Sequence, residues 1–413
     1  MAHRHHIPEG FKGEWNSLLI PYGRHYVTSI DALRVAWQIR FHSLTQGSKI
    51  LDFERSVAKL VGAKFAVATS SATAGLHIAV QSLDLPKNSK IITSPISFVA
   101  SSNSILYSGH VPIFSDINRE TLNIDAPQIS KIISKHRDIR ALIPVHFAGL
   151  PSGMSDIAKL ARTSGLHVIE DAAHSLGAKY DTGDMVGCCK YSDMTVFSFH
   201  PVKSITTGEG GMITTNDYDI YKKLLRLRSH GIIKLDDAFE NQIHSHTSGL
   251  QNPWYYEMVE LGYNYRITDI QAALGLSQLK KLSKFISKRE KLARNYDKLF
   301  EKLELIKPAQ TNYTSHSSNH IYPVRINYSK IGISRAELML KLLESGIGSQ
   351  VHYIPIPMQP YYQKLGYDIE SIPESMAFYK EALSIPLFPN LSSHSQKFVA
   401  STLKKILQDN QLK

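Results

Sequence analysis

The feature of the sequence that most constrains the fold is an alternation of short apolar runs with helical patterns between residues 63 and 215. Several runs are apolar without polar alternation, which is typical of strands buried on both faces of a sheet. This order predicts an α/β domain with a mainly parallel, seven-stranded sheet. The predicted strands are KFAVATS, KIITSP, VPIFSDI, ALIPVHF, HVIEDAA, MTVFSFH and GGMITT. The predicted helices cover residues 52–62, 73–83, 98–108, 154–164 and 217–229.

The rest of the chain predicts a smaller, mixed α/β domain. Thr268 and Gln271 form a capping-box signature that opens a long helical pattern running to about Leu303. Beyond it, HIYPVRI and SQVHYIPI have the composition of strands, and a helix is expected from Ser334 to near Gly346. We therefore predict a large domain over residues 1–265, which includes the N-terminal segment. The connecting long helix and the small C-terminal domain would cover residues 266–413.

Charge, apolar stretches and cysteine positions limit the classes of protein to which this chain could belong. The net charge of +11 is compatible with a nucleic acid, a membrane surface or an anionic small molecule. Much of the excess lies within residues 276–303, where basic and apolar residues alternate at helical spacing, which favours a solvated helix face. No apolar stretch reaches the roughly 18 residues that span a bilayer, and no signal peptide is evident, so we expect a cytoplasmic protein without a membrane partner. The adjacent Cys188 and Cys189 suit neither a disulfide framework nor a zinc site, and we expect no metal.

Three strand ends carry polar groups that could share one site, because ligands of open α/β sheets bind at the carboxyl ends of the strands. The first strand end leads through Ser71, Ala72 and Thr73 into a helical pattern. The N-terminus of a helix binds phosphate through its free backbone N–H groups. Serine and threonine are also the usual helix caps, so capping alone remains an alternative for these residues.

The other two strand ends supply an acid and an amine. Asp171 ends a buried strand, where an unpaired carboxylate would be costly, although a helix cap is an equally simple interpretation. Ser198 ends the next strand, and Lys203 follows five positions later. Pyridoxal phosphate (PLP) requires a lysine, an acid beside its pyridine nitrogen and a phosphate cradle. The combination favours a PLP site over a solvated surface lysine.

Three segments carry a resemblance to a known family. EDAAHSLGA, FSFHPVKSITTGEGG and LGYNYRITDIQAALGLSQLKKL resemble the successive signatures of the DegT-type sugar-nucleotide aminotransferases, and the likeness extends from about Tyr22 onward. The resemblance implies the aspartate aminotransferase fold, type I of the PLP enzymes. It also implies an enzyme that works as a homodimer with a shared active site.

Within that family, further segments are most similar to the transaminase branch of pseudaminic acid biosynthesis. Those segments are LTQGSKILDFE, TSPISFVASSN, RSHGI, PWYYEMVELGYNYR, SSNHIYPV and SGIGSQVHYIPI. The resemblance implies amination at C4 of a UDP-linked 4-keto-6-deoxy-L-sugar, UDP-2-acetamido-2,6-dideoxy-β-L-arabino-hex-4-ulose. L-Glutamate would be the amino donor.

The resemblance also implies a role for individual residues. Lys203 would form the Schiff base with PLP and then move a proton, while Asp171 would pair with the pyridinium nitrogen. Phe98 would stack on the ring, with Ala173 against its other face, and His174 would lie near the phenolic oxygen unless it is a structural histidine. The phosphate would be held by Ala72, Thr73, Ser198 and the Asn264 of a neighbouring subunit. The sugar nucleotide would be contacted by Tyr22, His42, Ser43, Leu44, Thr45, Gln350, Val351, His352 and Tyr353.

One departure and three alternatives accompany this interpretation. Ser204 stands where many members of the family have proline after the lysine, which predicts a less rigid loop with unchanged chemistry. A different nucleotide-sugar C4 aminotransferase, acting on 4-keto-arabinose or a D-configured 4-keto sugar, would share the same cofactor site. A related dehydratase subgroup has histidine in place of the lysine, so Lys203 argues against it. A non-catalytic regulator would need an added reader module, for which we see no candidate, and no nucleic-acid partner is expected.

Overall fold

A seven-stranded sheet forms the centre of the computed structural model, which describes residues 19–234, 239–311 and 316–412. The strand order is β1-β7-β6-β5-β4-β2-β3. Strand β7 runs antiparallel to both of its neighbours and the remaining pairs are parallel. The strands are β1 Phe65–Thr69, β2 Lys90–Thr93, β3 Val111–Phe114, β4 Ile139–Ile143, β5 His167–Asp171, β6 Met194–Ser198 and β7 Gly211–Thr215. All seven predicted strands and the mainly parallel sheet are confirmed.

Helices cover both faces of this sheet. Val196 and Ile213 belong to the apolar cluster on one face, and the adjacent Phe197 and Met212 belong to the cluster on the other. This explains why the strands lack polar alternation. The helices are α1 Ser29–Phe41, α2 Ser48–Val61, α3 Ala72–Gln81, α4 Ala100–Tyr107, α5 Ala126–Lys135, α6 Met154–Thr163 and α7 Tyr218–Arg228. Five of them confirm predicted helices, whereas α1 and α5 were not predicted.

Small elements follow α7, and two helices then lead toward the C-terminal part. The small elements are β8 Ile232–Ile233, α8 Gln242–Ser245, β9 His246–Thr247, β10 Leu250–Gln251 and β11 Glu257–Met258. Helices α9 Asp269–Leu279 and α10 Leu282–Phe300 replace the single long helical pattern that was predicted. The predicted capping box at the start of α9 is confirmed. The predicted continuity is wrong because the Lys281 amide closes a tight turn onto the Gln278 carbonyl, while its side chain pairs with Asp31 of α1.

The C-terminal part contains a three-stranded antiparallel sheet in the order β12-β13-β14. Its elements are β12 Ile306–Pro308, β13 Tyr322–Ile326, α11 Arg335–Glu344, α12 Pro360–Lys364, α13 Pro373–Glu381, β14 Ala382–Ile385 and α14 Ser393–Asp409. The predicted strand HIYPVRI and the capping box at Ser334 are confirmed. The predicted strand SQVHYIPI is wrong, since this segment forms one isolated bridge, from Gln350 to Ser384. Pro355 and Pro357 lack the amide that a continued ladder would need.

A second apolar cluster lies between the small sheet, α11, α14 and the later part of α10. Ala272 of α9, in contrast, packs in the core of the large sheet. The predicted domain boundary between residues 265 and 266 stays a prediction. In the described part of the chain, each helix is too short or too polar to cross a membrane.

Helix α1 is attached to the large domain through a buried carboxylate. Asp31 is fully buried, and its Oδ2 accepts hydrogen bonds from the Thr28 amide at 2.7 Å and from Gln278 Nε2 at 3.0 Å. The same oxygen pairs with the ammonium group of Lys281. Burial alone would raise the pKa of Asp31, but Lys281 and the other donors outweigh it and lower the pKa to about 2. The carboxylate is therefore ionised, and it joins α1 to α9 and to the residue that precedes α10.

We predict that Asp31→Asn destabilises the protein at neutral pH by about 2 kcal/mol, because a hydrogen-bonded charge is lost. The folded-state pKa lies below the usual carboxyl value, so this contribution is present above about pH 4 and is lost as the pH falls toward 2. Urea unfolding of both proteins at a series of pH values would measure the difference. Asp52→Asn, in a solvent-exposed pair with Lys49, is the matched control and should change stability by under about 1 kcal/mol. Equal effects of the two substitutions would contradict the prediction.

Candidate active site

A cavity of about 630 Å³ lies where β1, β5 and β6 end. Of the residues predicted to bind the cofactor or the sugar nucleotide, most line this cavity. They are Tyr22, Ala72, Thr73, Phe98, Asp171, Ala173, His174, Ser198, Lys203, Gln350, Val351, His352 and Tyr353. The strand ends and the segment after α11 thus meet around one space.

The N-terminus of α3 forms one end of the cavity. Ser71 caps the helix, because its hydroxyl accepts a hydrogen bond from the Ala74 amide at 3.1 Å. Ala72 and Thr73 follow in the first turn, where backbone N–H groups lack intrahelical partners. Capping and anion binding are therefore compatible here, since the cap uses only one of these N–H groups. The helix dipole and the remaining N–H groups favour an anion in the cavity.

Strand β7 approaches the start of α3 very closely at Gly211. This residue pairs with Thr69 of β1 on one side and with Ser198 of β6 on the other. A Cβ atom at Gly211 would lie 2.6 Å from the Ser71 carbonyl carbon and 2.7 Å from the Ala72 nitrogen. Only glycine fits such an approach of backbone to backbone. Gly211 therefore lets the end of β6 lie close to the start of α3.

Asp171 has hydrogen-bond donors on both oxygens. Oδ2 accepts from the Ser101 hydroxyl at 2.6 Å, and Oδ1 accepts from the Ala173 amide at 3.1 Å. Each oxygen retains a lone pair that can accept another N–H. The carboxylate is therefore oriented, and it can accept a hydrogen bond from a ligand within the cavity.

A buried network at the preceding residue supports the end of β5. Glu170 is fully buried and accepts hydrogen bonds from Tyr180 Oη at 2.7 Å and from Ser192 Oγ at 2.5 Å. Its Oε2 also lies 2.7 Å from His146 Nε2. Burial would raise the pKa of Glu170, but His146 and the hydroxyl donors lower it below its usual value. The backbone amide of His146 donates to the Asp171 carbonyl at 3.1 Å, so the network also restrains the strand end at Asp171.

Lys203 lies on the loop after β6, where its amide donates to the His200 carbonyl at 2.9 Å. Burial lowers the pKa of its ammonium to about 8, although the nearby Asp171 carboxylate favours the charged form. A lysine with a lowered pKa provides a neutral, nucleophilic amine at moderate pH. The adjacent Ser204 is buried, and its hydroxyl has no hydrogen-bond partner among the described residues.

Three histidines and a tyrosine, His174, His320, His352 and Tyr353, also line the cavity. His174 Nε2 lies 3.1 Å from the Tyr353 hydroxyl, and the ring of His320 packs 4.3 Å from that of His174 between centroids. Burial lowers the pKa of His352 to about 3, and it holds the pKa values of His174 and His320 well below the usual range. These imidazoles are therefore neutral. His320 was missed as a site residue, because its only signal was a place in the SSNHIYPV segment.

Five predicted site residues do not line the cavity of the single chain. His42, Ser43, Leu44 and Thr45 are exposed beyond the end of α1, and Asn264 is exposed before α9. His42 instead lines a separate groove between α1 and α9, together with Trp37. Their predicted roles in this site stay predictions.

Sequence comparison identifies similar proteins along nearly the full chain. The profile of the DegT/DnrJ/EryC1/StrS aminotransferase family matches residues 28–404. A protein of Methanocaldococcus jannaschii without an assigned function is 39% identical over 92% of this chain and 94% of its own length. The spore coat polysaccharide biosynthesis protein SpsC of Bacillus subtilis is 36% identical over 94% and 97%. The UDP-4-amino-4,6-dideoxy-N-acetyl-beta-L-altrosamine transaminase of Campylobacter jejuni strain 81-176 is 37% identical over 92% and 95%.

Solved structures share the fold. PseC of Helicobacter pylori, an aminotransferase involved in the biosynthesis of pseudoaminic acid, superposes with a TM-score of 0.86 at 31% identity. The match covers 95% of this chain and all of that one. Spr1654 of Streptococcus pneumoniae, solved in its PLP form, gives a TM-score of 0.84 at 27% identity and covers 95% of this chain and 99% of its own. The aspartate aminotransferase fold predicted from the sequence is thereby confirmed.

The residues of the cavity fit PLP, the cofactor of this family. The amine of Lys203 is enclosed, and Asp171 keeps lone pairs available for a pyridinium N–H. The N–H groups at the start of α3 and the Ser198 hydroxyl lie at the same cavity, where groups of this kind could hold an anion. The predicted cofactor is thus supported by the chemistry of the cavity as well as by the family.

We predict that Gly211→Ala weakens PLP binding roughly 10-fold or more, because the new methyl group must displace the start of α3. Absorbance titration of cofactor-free protein with PLP would measure the dissociation constant. Gly153→Ala is the matched control, since a Cβ atom there meets nothing within 4 Å. An unchanged dissociation constant in Gly211→Ala would show that the approach of β7 does not shape the cofactor site.

Proposed function

The chain belongs to the DegT/DnrJ/EryC1/StrS aminotransferase family, and we propose that this PLP-dependent sugar aminotransferase aminates C4 of a UDP-linked 4-keto-6-deoxy-L-sugar. The proposed acceptor is UDP-2-acetamido-2,6-dideoxy-β-L-arabino-hex-4-ulose, with L-glutamate as the amino donor. The pathway would be pseudaminic acid biosynthesis. Similarity to the C. jejuni transaminase and to H. pylori PseC supports this choice of sugar.

The observation that carries the proposal is that Lys203 and Asp171 line one cavity at the strand ends. A surface lysine would keep its ordinary pKa, whereas burial lowers the pKa of Lys203 to about 8. Perturbed lysines in clefts are typical of covalent catalysis. This placement supports the catalytic role proposed for Lys203.

Each group of the cavity has a proposed task. When bound, PLP supplies an electron sink for the carbon at which the amino group is exchanged. Lys203 Nζ would hold the cofactor in the resting enzyme and, once released, would carry a proton between the reacting carbons. Asp171 would keep the pyridine nitrogen protonated by accepting its N–H. Ala72, Thr73 and Ser198 would hold the phosphate, while Phe98 and Ala173 would pack against the two faces of the ring.

The wall that carries Tyr22 and residues 350–353 would hold the sugar. Tyr22 packs 5.4 Å from the ring of His352 between centroids, so the two residues form one surface of the cavity. His352 is neutral, and its Nδ1 lies 2.9 Å from the Ser384 hydroxyl. A wall of neutral donors and aromatic rings suits the hydroxyl groups and the apolar faces of a sugar ring.

We further propose a homodimer with a shared active site. Asn264 and residues 42–45 are exposed in the single chain, and apolar side chains are exposed beside both segments. Trp37 is 60% exposed on α1 and Leu261 is 77% exposed before Asn264. Exposed apolar surfaces of this kind are typical of protein interfaces. Contact with a partner would cover them and bring Asn264 to the partner's cofactor phosphate.

We predict that the purified enzyme converts the proposed L-configured 4-keto sugar, with glutamate, to the 4-amino sugar. NMR of the product would assign the configuration at C4, and parallel reactions with UDP-4-keto-arabinose and a D-configured 4-keto sugar would test the alternative substrates. If the enzyme converts only one of these alternative sugars, that sugar replaces the proposed substrate and the reaction class is unchanged. A protein that binds PLP but aminates none of them would contradict the proposed function and favour a regulator.

The control for this experiment is Lys203→Ala. Its turnover should fall by roughly 10³-fold or more, because both the covalent anchor and the proton carrier are removed. Circular dichroism should show an unchanged fold. Borohydride reduction of the wild-type enzyme should attach the cofactor at Lys203, and an adduct on another lysine would overturn the assignment.

We predict that two inactive variants restore activity when mixed if the active site is shared. Lys203→Ala lacks the amine, and Asn264→Asp places a carboxylate near the phosphate, which repels it. In a mixed dimer one site receives both changes and the other receives neither, so random exchange should restore about a quarter of wild-type activity. Mixing Lys203→Ala with the double variant is the control and should restore none. No recovery despite verified exchange of subunits, or an active monomer in sedimentation, would contradict the shared site.

A further inference from the structure

The protonation of His174 decides what the hydroxyl of Tyr353, which lines the cavity, can donate to a ligand. His174 is buried, and its Nε2 lies 3.1 Å from the hydroxyl of Tyr353. Either group could be the donor in this contact. The two arrangements leave different protons facing the cavity, because a tyrosine hydroxyl carries only one hydrogen.

The surroundings of the other ring nitrogen favour one arrangement. His174 Nδ1 is buried and has no hydrogen-bond partner among the described residues. A proton on Nδ1 would therefore be an unpaired buried donor, which proteins tolerate less than an unpaired acceptor. The neutral ring carries one proton, so that proton belongs on Nε2. His174 then donates to the Tyr353 oxygen.

Donation by His174 determines where Tyr353, which lines the cavity, can direct its own hydroxyl proton. Because its oxygen accepts from His174, its own proton is free to point elsewhere. Burial and the nearby Tyr22 and Asp171 raise the pKa of Tyr353, so the hydroxyl keeps this proton. The hydroxyl is therefore a neutral donor whose proton is not used in the contact with His174.

His320 holds His174 in the required orientation. Its ring packs on that of His174, and the segment around it is attached at several points. The Ser318 hydroxyl donates to the His174 carbonyl at 2.7 Å, and the His320 amide donates to the Ala148 carbonyl at 2.9 Å. The buried guanidinium of Arg289 donates to the His320 carbonyl at 2.8 Å. The imidazole of His174 thus has little freedom to turn.

We propose that Tyr353 donates a hydrogen bond to an oxygen acceptor bound in the cavity, with His174 and His320 as positioning residues that direct its proton. The acceptor is an oxygen of the sugar substrate or the phenolic oxygen of the cofactor, which share this chemistry. Tyr353 thereby selects ligands that carry an oxygen acceptor at this wall. The sugar alternative rests on the proposed function, whereas the proton positions do not.

Neutron diffraction from deuterium-exchanged crystals of the PLP-bound enzyme would test the proton positions directly. We expect a deuteron on His174 Nε2 and the Tyr353 deuteron directed into the cavity. A deuteron on His174 Nδ1, with the Tyr353 hydroxyl donating to Nε2, would overturn the proposal. This result does not depend on which sugar the enzyme uses, so it separates the inference from the proposed function.

Tyr353→Phe tests the donor in solution and distinguishes the two acceptors. If the acceptor is the cofactor oxygen, the pH midpoint of the bound cofactor's absorbance shifts in the absence of sugar. If the acceptor is the sugar, that midpoint and the glutamate half-reaction are unchanged, while kcat/KM for the keto sugar falls roughly 10-fold to 100-fold. If neither quantity changes, the proposal is wrong.

Two variants of His174 and one control test its role as a positioning residue. His174→Gln keeps a side-chain N–H, whereas His174→Leu does not. Tyr353→Phe changes either the pH midpoint of the cofactor's absorbance or kcat/KM for the keto sugar. The quantity that it changes should be closer to its wild-type value in His174→Gln than in His174→Leu. Tyr367→Phe removes a hydroxyl that donates to the Pro112 carbonyl away from the cavity and should leave both quantities unchanged. If His174→Gln and His174→Leu are equally impaired, His174 does not act by donating a proton to Tyr353.

Discussion

The close approach of β7 to the start of α3 is the constraint on which the site depends. Gly211 belongs to the antiparallel strand β7 and pairs with Thr69 at the end of β1 and with Ser198 at the end of β6. It therefore joins the ends of these two strands. A side chain there would collide with the backbone of Ser71. The N–H groups of α3 and the loop that carries Lys203 therefore face one another only because the residue between them is glycine.

Two buried charged residues near the cavity, Glu170 and Arg289, have hydrogen-bond partners of their own. Glu170 is buried with several donors, which satisfies its charge locally. Arg289 is also buried, yet it donates to the carbonyl oxygens of His320 and Leu387, and burial lowers its pKa to about 10. Its positive charge lies next to His320 and helps to keep that ring neutral. The cavity accordingly combines the amine of Lys203 and the carboxylate of Asp171 with neutral imidazoles, which suits an anionic cofactor beside the ring of a sugar.

The strand ends were predictable because burial on both faces produces apolar runs that stop at polar residues such as Asp171. Helix α1 was not, since apolar residues occur on several of its sides and the side chains that it buries, Asp31 and Gln38, are polar. The error at SQVHYIPI has a different cause, because its composition suggested a strand although Pro355 has no amide to pair. His320 could not be identified as a site residue from spacing, since its position beside His174 arises from contacts between distant segments.

The predicted site residues that lie outside the cavity of the single chain would be explained by the proposed dimer. Residues 42–45 and Asn264 belong to different parts of the chain, yet both are exposed and both lie next to exposed apolar side chains. A monomer gains nothing from exposing Trp37, Leu261 and the 74% exposed Trp254 to water. A partner that covered these side chains would gain hydrophobic free energy and would bring the adjacent polar residues to its own cavity. The apolar exposure thus gives an energetic reason for an interface, independent of any likeness to other proteins.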